Sequence, residues 1–235
     1  MDLKQLTSAV CKIAADGGKY LAEQRKSFDK NKIEEKNSHD YVSYVDKETE
    51  KILVKELKEL LPEAGFITEE ETVKFEEHEY CWIIDPLDGT TNFIYDNPLY
   101  GVSIALKKND RIIIGVVYEV TRSECFYAWE NGGSYLNGQK LNVSNTTQLE
   151  KASVGIDLPY NYENYKPVIN HLTNLLYGKV SSIRLFGSAA VAICYVAAGR
   201  FDIWAEAYIK LWDFAAGVLI VQEAGGKITN FNGDK

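Results

Sequence analysis

The spacing of hydrophobic positions changes twice along the chain, and each change predicts a different set of secondary structures. Over roughly the first 25 residues, apolar and small residues recur every three or four positions, as in an amphipathic helix. A polar stretch follows at residues 29–40, and a second helical pattern runs from about Asp46 to Pro62, which ends it. The N-terminal part is therefore predicted to contain two long antiparallel helices.

From residue 64 onwards the period shortens to the alternation typical of β-strands. Turn residues separate the apolar runs, which predicts an antiparallel meander. The predicted strands cover residues 64–68, 80–84, 100–106, 112–120 and 124–129.

Beyond about residue 145, strand and helix patterns alternate. The strands are predicted at residues 152–156, 183–186 and 201–205, and the helices at residues 162–177, 188–198 and 213–224. This order predicts a layered α/β fold in which sheets lie between layers of helices. We expect two sub-domains, an N-terminal α+β part at residues 1–145 and a C-terminal α/β part at residues 146–235, which together form one unit.

Composition narrows the classes of partner. The chain has 235 residues, of which 46% are hydrophobic, and a net charge of −8, which disfavours a nucleic-acid or anionic membrane partner. It has no run of eighteen apolar residues and no apolar signal core behind Met1, which favours a cytoplasmic protein. Its four cysteines are widely spaced, without a Cys-x-x-Cys pair, and are expected to be reduced, buried thiols.

The strongest chemical signal lies in residues 82–93, which read Trp-Ile-Ile-Asp-Pro-Leu-Asp-Gly-Thr-Thr-Asn-Phe. Because Pro86 cannot donate a ladder hydrogen bond, the apolar strand is predicted to end there. Asp85 and Asp88 would then lie at the carboxyl end of a strand, where open α/β sheets bind ligands. A helix predicted to begin at Gly89 would present backbone N–H groups to an anion. This combination indicates a site for a divalent metal ion and a phosphate group.

Two further acidic clusters could join this site. A run of three glutamates at residues 69–71 directly follows a predicted strand, and Asp213 opens a helix of small residues. Taken singly, the glutamates are typical of a solvated loop, Asp213 of a helix cap, and residues 85–89 of a turn. Strand ends and helix starts of this kind meet at one edge of a sheet, however, so we expect all three clusters to form one site.

The chain resembles the inositol monophosphatase family of metal-dependent, lithium-sensitive sugar phosphatases. The matching segments occur in the family's order and close to its spacing, at residues 66–70, 82–93, 187–190, 212–217 and 223–226. The resemblance covers essentially the whole chain, although Thr68 stands where many relatives have glycine. It implies the alternating αβαβα sandwich of the inositol monophosphatase and fructose-1,6-bisphosphatase type.

The resemblance also implies a site for two Mg²⁺ ions and a third, weaker one, with Mn²⁺ as a substitute. The ligands of the first two would be oxygens of four side chains and one backbone carbonyl, namely Glu69, Asp85, Asp88, Asp213 and the carbonyl of Leu87. Asp85 would contact both of these ions. The third ion would contact Glu69 near Lys36, and Glu70 would support the ligands. A short ligand set of this kind suits Mg²⁺, which retains several waters.

By the same resemblance, Thr90 would orient and deprotonate the attacking water, with the help of Asp46 and of the catalytic carboxylate Glu69. Asp46 is equally typical of an acid in the first turn of a helix. The backbone N–H groups of Gly89 and Thr90 would bind phosphate oxygens. Because a divalent metal lowers the pKa of a water, no histidine base is required. The three histidines are therefore expected to be bystanders: His39, His78 and His171.

Recognition of the alcohol part of the substrate is implied at two places. Glu206 would accept hydrogen bonds from ring hydroxyls, although it could also be a surface glutamate. Small residues would contact the sugar, namely Gly187, Ser188 and Ala189. The acidic residues 71–79 are expected to form a mobile loop over the site. Family members usually continue beyond the position of Lys235 through one more strand and a helix.

The sequence therefore predicts a Mg²⁺-dependent phosphomonoesterase that converts inositol monophosphate, or a related sugar phosphate, to the alcohol and inorganic phosphate. Fructose-1,6-bisphosphatase and NADP(H) phosphatase are the alternatives on the same fold, because specificity depends on loops. A more remote alternative is a non-catalytic partner of the transcription machinery. The resemblance and the fifteen tyrosines favour a homodimer.

Overall fold

The structure is a computed structural model. It describes residues 1–29, 33–37, 40–76, 78–158 and 162–234, and for residues 33–37, 40–42 and 162–165 it describes the backbone alone.

Two helices form the N-terminal part, as predicted. Helix α1 spans Leu3–Lys26, and α2 spans Tyr44–Leu60. The side chain of Asp2 caps α1 by accepting a hydrogen bond from the Gln5 N–H. The polar stretch between the helices contains an antiparallel hairpin that the hydrophobic pattern did not predict, formed by β1 (Ile33–Asn37) and β2 (Asp40–Ser43).

The central element is a seven-stranded sheet whose strands follow one another in chain order. The strands are β3 (Gly65–Thr68), β4 (Tyr80–Asp88), β5 (Gly101–Lys108), β6 (Arg111–Glu119), β7 (Glu124–Trp129), β8 (Gly133–Leu136) and β9 (Gln139–Lys140). Strands β3 and β4 are parallel, and all later neighbours are antiparallel. The predicted antiparallel meander is therefore confirmed from β4 onwards, and β8 and β9 extend it. It was wrong for the first pair, because β3 runs parallel to β4.

Strand β4 does not end at Pro86, so that prediction was wrong. Asp85 pairs with Ser103 and Asp88 pairs with Gly101, so β4 advances three residues while β5 advances two. One extra residue in β4 makes this a β-bulge, and a bulge tolerates a proline because its residues need not donate to the ladder. The bulge keeps both aspartates in the strand.

The second half of the chain contains a three-stranded parallel sheet in the order β11-β10-β12, formed by β10 (Ser153–Ile156), β11 (Ser182–Arg184) and β12 (Ile203–Ala205). The remaining helices are α3 (Thr90–Tyr95), α4 (Tyr162–Leu176), α5 (Ala189–Ala197) and α6 (Leu211–Glu223). Each strand and helix predicted beyond residue 145 is present.

The large sheet is buried on both faces. Trp82 and Ile84 belong to a core shared with α1 and α2, whereas Ile83 belongs to a second core shared with α5 and α6. This alternation explains why β4 reads as a continuous apolar run. The layered α/β fold is thus confirmed. The division into sub-domains near residue 145 stays a prediction, and α5 and α6 pack on the sheet formed before it.

Two expectations from composition can be compared with the structure. All four cysteines are free thiols; Cys81 and Cys194 are buried, but Cys11 and Cys125 are only half-buried, so burial was predicted correctly for two of them. In the described part of the chain, none of the helices has the length and apolarity needed to cross a bilayer.

Candidate active site

A cavity of about 220 Å³ opens where the parallel strands β3 and β4 end. Eleven of the residues predicted for the site line it: Glu69, Asp85, Leu87, Asp88, Gly89, Thr90, Gly187, Ser188, Ala189, Glu206 and Asp213. The fold brings these positions together because β4 carries its aspartates to the sheet edge, while α5 and α6 pack against the same sheet.

Asp85 lies in the β4 bulge and is almost completely buried. Its Oδ1 accepts a hydrogen bond from the Leu87 N–H at 2.9 Å, and its carboxyl group contacts that of Glu69. Burial, followed by the negative charges of Glu69, Asp88 and Asp213, raises the pKa of Asp85 well above its usual range. The predicted ligand carboxylates are therefore close enough to repel one another.

Asp88 is buried against the first turn of α5. Its Oδ1 accepts a hydrogen bond from the Ala189 N–H at 3.1 Å, and its Oδ2 accepts from the Ala190 N–H at 2.9 Å and from the Ser188 hydroxyl. Burial, opposed by the Ser188 bond and assisted by the charge of Asp213, raises the pKa of Asp88 to about 7. Ser188, predicted to contact the sugar, thus donates its hydroxyl to Asp88.

Asp213 lies in the first turn of α6, where its Oδ2 accepts a hydrogen bond from the Lys210 N–H at 2.6 Å. It therefore has the capping function that such an aspartate often has, and it also lines the cavity. The Ser103 hydroxyl donates to the Trp212 carbonyl at 3.2 Å, and Ser103 is the β5 partner of Asp85. This contact places the start of α6 beside the β4 bulge.

Asp46 does not line the cavity itself but contacts Thr90, which does. The Thr90 Oγ1 lies 3.0 Å from the Asp46 Oδ1 and 3.0 Å from the Leu87 carbonyl oxygen, and its single proton can serve one acceptor at a time. The Asp46 Oδ2 accepts from both the N–H and the hydroxyl of Ser43, which caps α2. Burial raises the pKa of Asp46, and the bonds from Ser43 and Thr90 oppose this rise. The two interpretations of Asp46, helix acid and site residue, are thus compatible.

Glu206 is half-buried and faces the cavity. Burial, followed by the negative charges of Asp157, Asp213 and Asp88, raises its pKa to about 9. Its position in the cavity disagrees with the alternative interpretation as a surface glutamate.

The sequence analysis missed four lining residues, Thr91, Asn92, Asp157 and Leu158. Asp157 accepts hydrogen bonds from the N–H groups of Phe186 and Gly187 at 2.9 and 2.7 Å and from the Trp204 indole at 3.1 Å. It directly follows β10, so its position after an apolar strand was the available signal.

Asn92 connects the two sides of the cavity. Its Nδ2 donates to the carbonyl oxygens of Leu99 at 2.8 Å and of Phe186 at 2.6 Å. Nearby, Gly89 has a φ of 87°, and a Cβ at that position would lie 3.0 Å from the Leu99 carbonyl oxygen and 3.2 Å from that of Gly187. A glycine is required here both by the backbone conformation and by the close approach of the two loops.

Other predicted residues lie outside the cavity lining. Glu70 is half-buried, and its N–H donates to the Glu50 Oε2 at 2.8 Å. His78 and His171 do not line the cavity. His39 and the side chain of Lys36 lie outside the described residues. Residues 71–76 and 78–79 contain no helix or strand, and the predicted mobility of this loop stays a prediction.

The donor set suits a hard divalent cation, because it consists of carboxylate and carbonyl oxygens that otherwise repel one another. In their described positions, no three Asp, Glu, His or Cys side chains gather their donor atoms around one point. Asp88 and Asp213 are instead turned towards backbone N–H groups. The residues thus have the chemistry of a site for a hard cation, while Asp88 and Asp213 as described bond to backbone N–H groups at the starts of helices α5 and α6.

The protein has a layered α/β fold, and six carboxylates line one cavity at the edge of its sheet. It therefore belongs to the class of α/β proteins whose site is suited to a hard cation. Residues 2–235 match the Inositol monophosphatase family, and the chain belongs to this family. The resemblance and the fold class that it implied are both confirmed.

Individual relatives carry two kinds of name. The chain is 35% identical over 230 residues to the inositol-1-monophosphatase of Mesorhizobium japonicum, which covers 97% of this chain and 86% of that one. It is 36% identical over 221 residues to the Nus factor SuhB of Escherichia coli K12, covering 94% and 83% of the two chains. The crystal structure of the extragenic suppressor protein SuhB from Bartonella henselae superposes with a TM-score of 0.91 at 35% identity, over 97% and 88% of the two chains.

Proposed function

We propose that this protein is a Mg²⁺-dependent phosphomonoesterase that hydrolyses inositol monophosphate, or a related sugar phosphate, to the alcohol and inorganic phosphate. The observation that carries the proposal is the contact between Thr90 and Asp46 beside the buried carboxylates of β4. The Thr90 hydroxyl thus lies in the same cavity as a cluster of hard oxygen ligands, with Asp46 behind it as a proton acceptor.

Glu69, Asp85, Asp88, Asp213 and the carbonyl oxygen of Leu87 are the residues that would hold two Mg²⁺ ions, with a third ion near Glu69. When bound, Mg²⁺ would neutralise the phosphate and lower the pKa of the attacking water. The Leu87 carbonyl has a second lone pair beyond the one that faces Thr90, so both contacts are compatible. Lithium is expected to compete at the position between Asp85, Asp88 and Asp213.

The protein's own groups would orient the water and the phosphate. Asp46 holds the Thr90 hydroxyl, which would accept the proton of the attacking water as it passes its own proton to Asp46. Because burial raises the pKa of Asp46, its carboxylate is a stronger base than an exposed aspartate. Gly89 and Thr90 line the cavity, and their backbone N–H groups would donate to phosphate oxygens.

The charge of the cavity favours one substrate class among the alternatives. Six of the described lining residues are acidic and none is lysine, arginine or histidine. A second phosphate group, as in fructose 1,6-bisphosphate, or the diphosphate of NADP would find no cationic side chain among them. A neutral polyol would instead donate its hydroxyls to Glu206, so the cavity favours the monophosphate of a polyol.

A substrate panel tests this proposal. Phosphate release is measured with Mg²⁺ for inositol 1-phosphate, fructose 1,6-bisphosphate, 2′- and 3′-phosphonucleotides and NADP, with EDTA as the matched control. We expect the highest kcat/KM with inositol 1-phosphate. Failure of all five substrates in the presence of Mg²⁺ would contradict the proposal of an enzyme, whereas preference for the bisphosphate would contradict the substrate class alone.

A second candidate function is suggested by the relatives named Nus factor SuhB. Such a protein would bind the transcription machinery without needing turnover, and the net charge of −8 disfavours direct contact with RNA. The Asp85→Asn variant distinguishes the two functions, because binding to purified transcription machinery would survive this substitution. A mass measurement by light scattering on the same preparations tests the expected homodimer.

A further inference from the structure

Glu50 is a completely buried carboxylate that has no place in the mechanism above. It lies in α2, one helical turn after Asp46. Its Oε2 accepts a hydrogen bond from the Glu70 N–H at 2.8 Å, and its Oε1 accepts from the N–H and the hydroxyl of Thr72 at 2.8 and 2.7 Å. A buried carboxylate with three donors is a strong anchor, since hydrogen bonds to a charged group are about twice as strong as neutral ones.

The anchored segment is the turn that carries Glu69 into the cavity. The Glu69 N–H donates to the Ile84 carbonyl at 3.2 Å, which fixes the start of the turn beside Asp85. Glu71 has a φ of 51°, a left-handed conformation that a residue with a side chain rarely adopts. Glu50 bonds the residues on both sides of Glu71, so its carboxylate holds a turn that the backbone alone would not favour.

Helix α2 therefore presents two buried carboxylates, four residues apart, to two different parts of the site. Asp46 holds the hydroxyl of Thr90, and Glu50 holds the turn behind Glu69. Such spacing places both groups on the same face of the helix. Helix α2 thus helps to position both Thr90 and Glu69.

We propose that Glu50 is a positioning residue that sets the divalent-cation affinity of the site by fixing the turn that carries Glu69. The identity of the cation comes from the proposed function, whereas the anchoring role comes from the Glu50 contacts. Glu50 would act through the backbone of the turn and would contact neither cation nor substrate. Outer residues that orient a metal ligand typically change metal affinity by about 10- to 100-fold when they are replaced.

The test is a titration of wild type and Glu50→Gln with Mn²⁺ alone, without substrate. The EPR signal of the free ion measures how much Mn²⁺ is bound. Glutamine keeps the size of the side chain but replaces one acceptor oxygen by an NH₂ donor, which cannot pair with the N–H groups of the turn. We expect the Mn²⁺ dissociation constant to rise at least about 10-fold. The Mg²⁺ concentration for half-maximal rate should rise in parallel, with little change in kcat at saturating Mg²⁺.

Glu119→Gln is a matched control. Glu119 is also completely buried, and it also accepts hydrogen bonds from two backbone N–H groups and a threonine hydroxyl, in residues 121–122. None of these residues lines the cavity. We expect Glu119→Gln to lower the melting temperature without changing the Mn²⁺ dissociation constant. Equal weakening of Mn²⁺ binding in both variants would assign the effect to general stability and overturn the proposal.

Thr72→Val decides the question if Glu50→Gln does not fold. Valine removes one of the three hydrogen bonds of Glu50 and keeps the shape of the side chain, so we expect about threefold weaker Mn²⁺ binding. An unchanged dissociation constant in Thr72→Val, or in a folded Glu50→Gln, would overturn the proposal. If wild type binds Mn²⁺ and hydrolyses no ester, the proposed function fails while the role of Glu50 is still tested.

Discussion

The two sides of the cavity are built in different ways. On the β4 side, the continuous segment from Asp85 to Thr90 supplies five of the predicted site residues, and its bulge and its left-handed Gly89 set their directions. On the opposite side, three separate segments contribute Asp157, Ser188 and Glu206. Asp157 accepts a hydrogen bond from the Gly187 N–H, which joins two of these segments, and Asn92 donates to the Phe186 carbonyl, which joins one of them to the β4 side. A contiguous motif fixes geometry through local backbone conformation, whereas the opposite side depends on contacts between distant residues.

The comparison also suggests a division of labour. The β4 side contains most of the groups assigned to the cations, as well as Thr90, which is assigned to the water, so replacements there should lower kcat. The opposite side faces the part of the cavity left for the alcohol, so replacements there should mainly raise KM. The predictions below test this division.

Asp85→Asn should have the largest effect. The substitution removes a ligand that would contact two ions, and we expect kcat to fall by roughly 10³-fold or more. The same substitution should not destabilise the protein in EDTA, because burial and neighbouring carboxylates disfavour the ionised form of Asp85 in the folded protein. Thermal unfolding in EDTA at pH 7 should therefore show an equal or higher melting temperature. Full activity of the variant would contradict the assignment of the site.

Thr90→Ala should lower kcat by about 10²- to 10³-fold, since proton transfer by a positioned group typically contributes a factor of this size. Steady-state kinetics at several Mg²⁺ concentrations provides the measurement. The Mg²⁺ requirement should change little, because Thr90 contacts Asp46 and the Leu87 carbonyl rather than the carboxylates assigned as ligands. Thr90→Ser is the matched control, because it keeps the hydroxyl and should retain most of the activity.

Asp157→Asn tests the opposite side. Asparagine has one acceptor oxygen for the three N–H groups that Asp157 now binds. We expect KM for inositol 1-phosphate to rise by about 10-fold, with a smaller change in kcat, because the N–H groups of the Gly187 loop lose a charged acceptor and the Trp204 indole faces an NH₂ donor. A fall in kcat with an unchanged KM would show that the two sides do not divide the work as proposed.

Glu206→Gln should have the smallest effect on turnover, raising KM for inositol phosphates by a few-fold more than it lowers kcat. The raised pKa of Glu206 also predicts that the folding stability of the protein in EDTA depends on pH. The folded-state pKa of Glu206 is raised to about 9 from the ordinary value of 4.5, so folding favours its protonated form. This contribution to stability is complete below pH 4.5 and is lost as the pH rises through 9.

Glutamine does not titrate, so Glu206→Gln should unfold at a higher temperature than wild type at pH 8 and at a similar temperature at pH 4. Calorimetry at these two pH values checks the prediction. An equal difference at both pH values would show that the effect is not due to ionisation of Glu206.

Much of the fold could be predicted from local patterns. Helix α1 and the strands of the second half follow from hydrophobic period and turn residues, because these patterns report burial on one face or on two. The hairpin of β1 (residues 33–37) and β2 (residues 40–43) was missed because most of its residues are polar and lack that pattern. The end of β4 was misplaced because a proline normally ends a ladder, and only pairing with β5 shows that the bulge accommodates it.

The part of the site that lies in one contiguous motif could likewise be predicted from local sequence. Asp85, Asp88 and Thr90 lie in one short motif whose chemistry is encoded by neighbours in the chain, so reading the residues in order was sufficient to nominate them. Asp157, Asn92 and Glu50 act through partners that lie at least seven residues away and mostly far beyond, as in the contact of Asn92 with Phe186 at a separation of 94 residues and that of Glu50 with Glu70 at 20. Hydrogen bonds of this kind exist only after the sheets and helices have packed, so tertiary structure alone decided which buried polar side chains hold the cavity together.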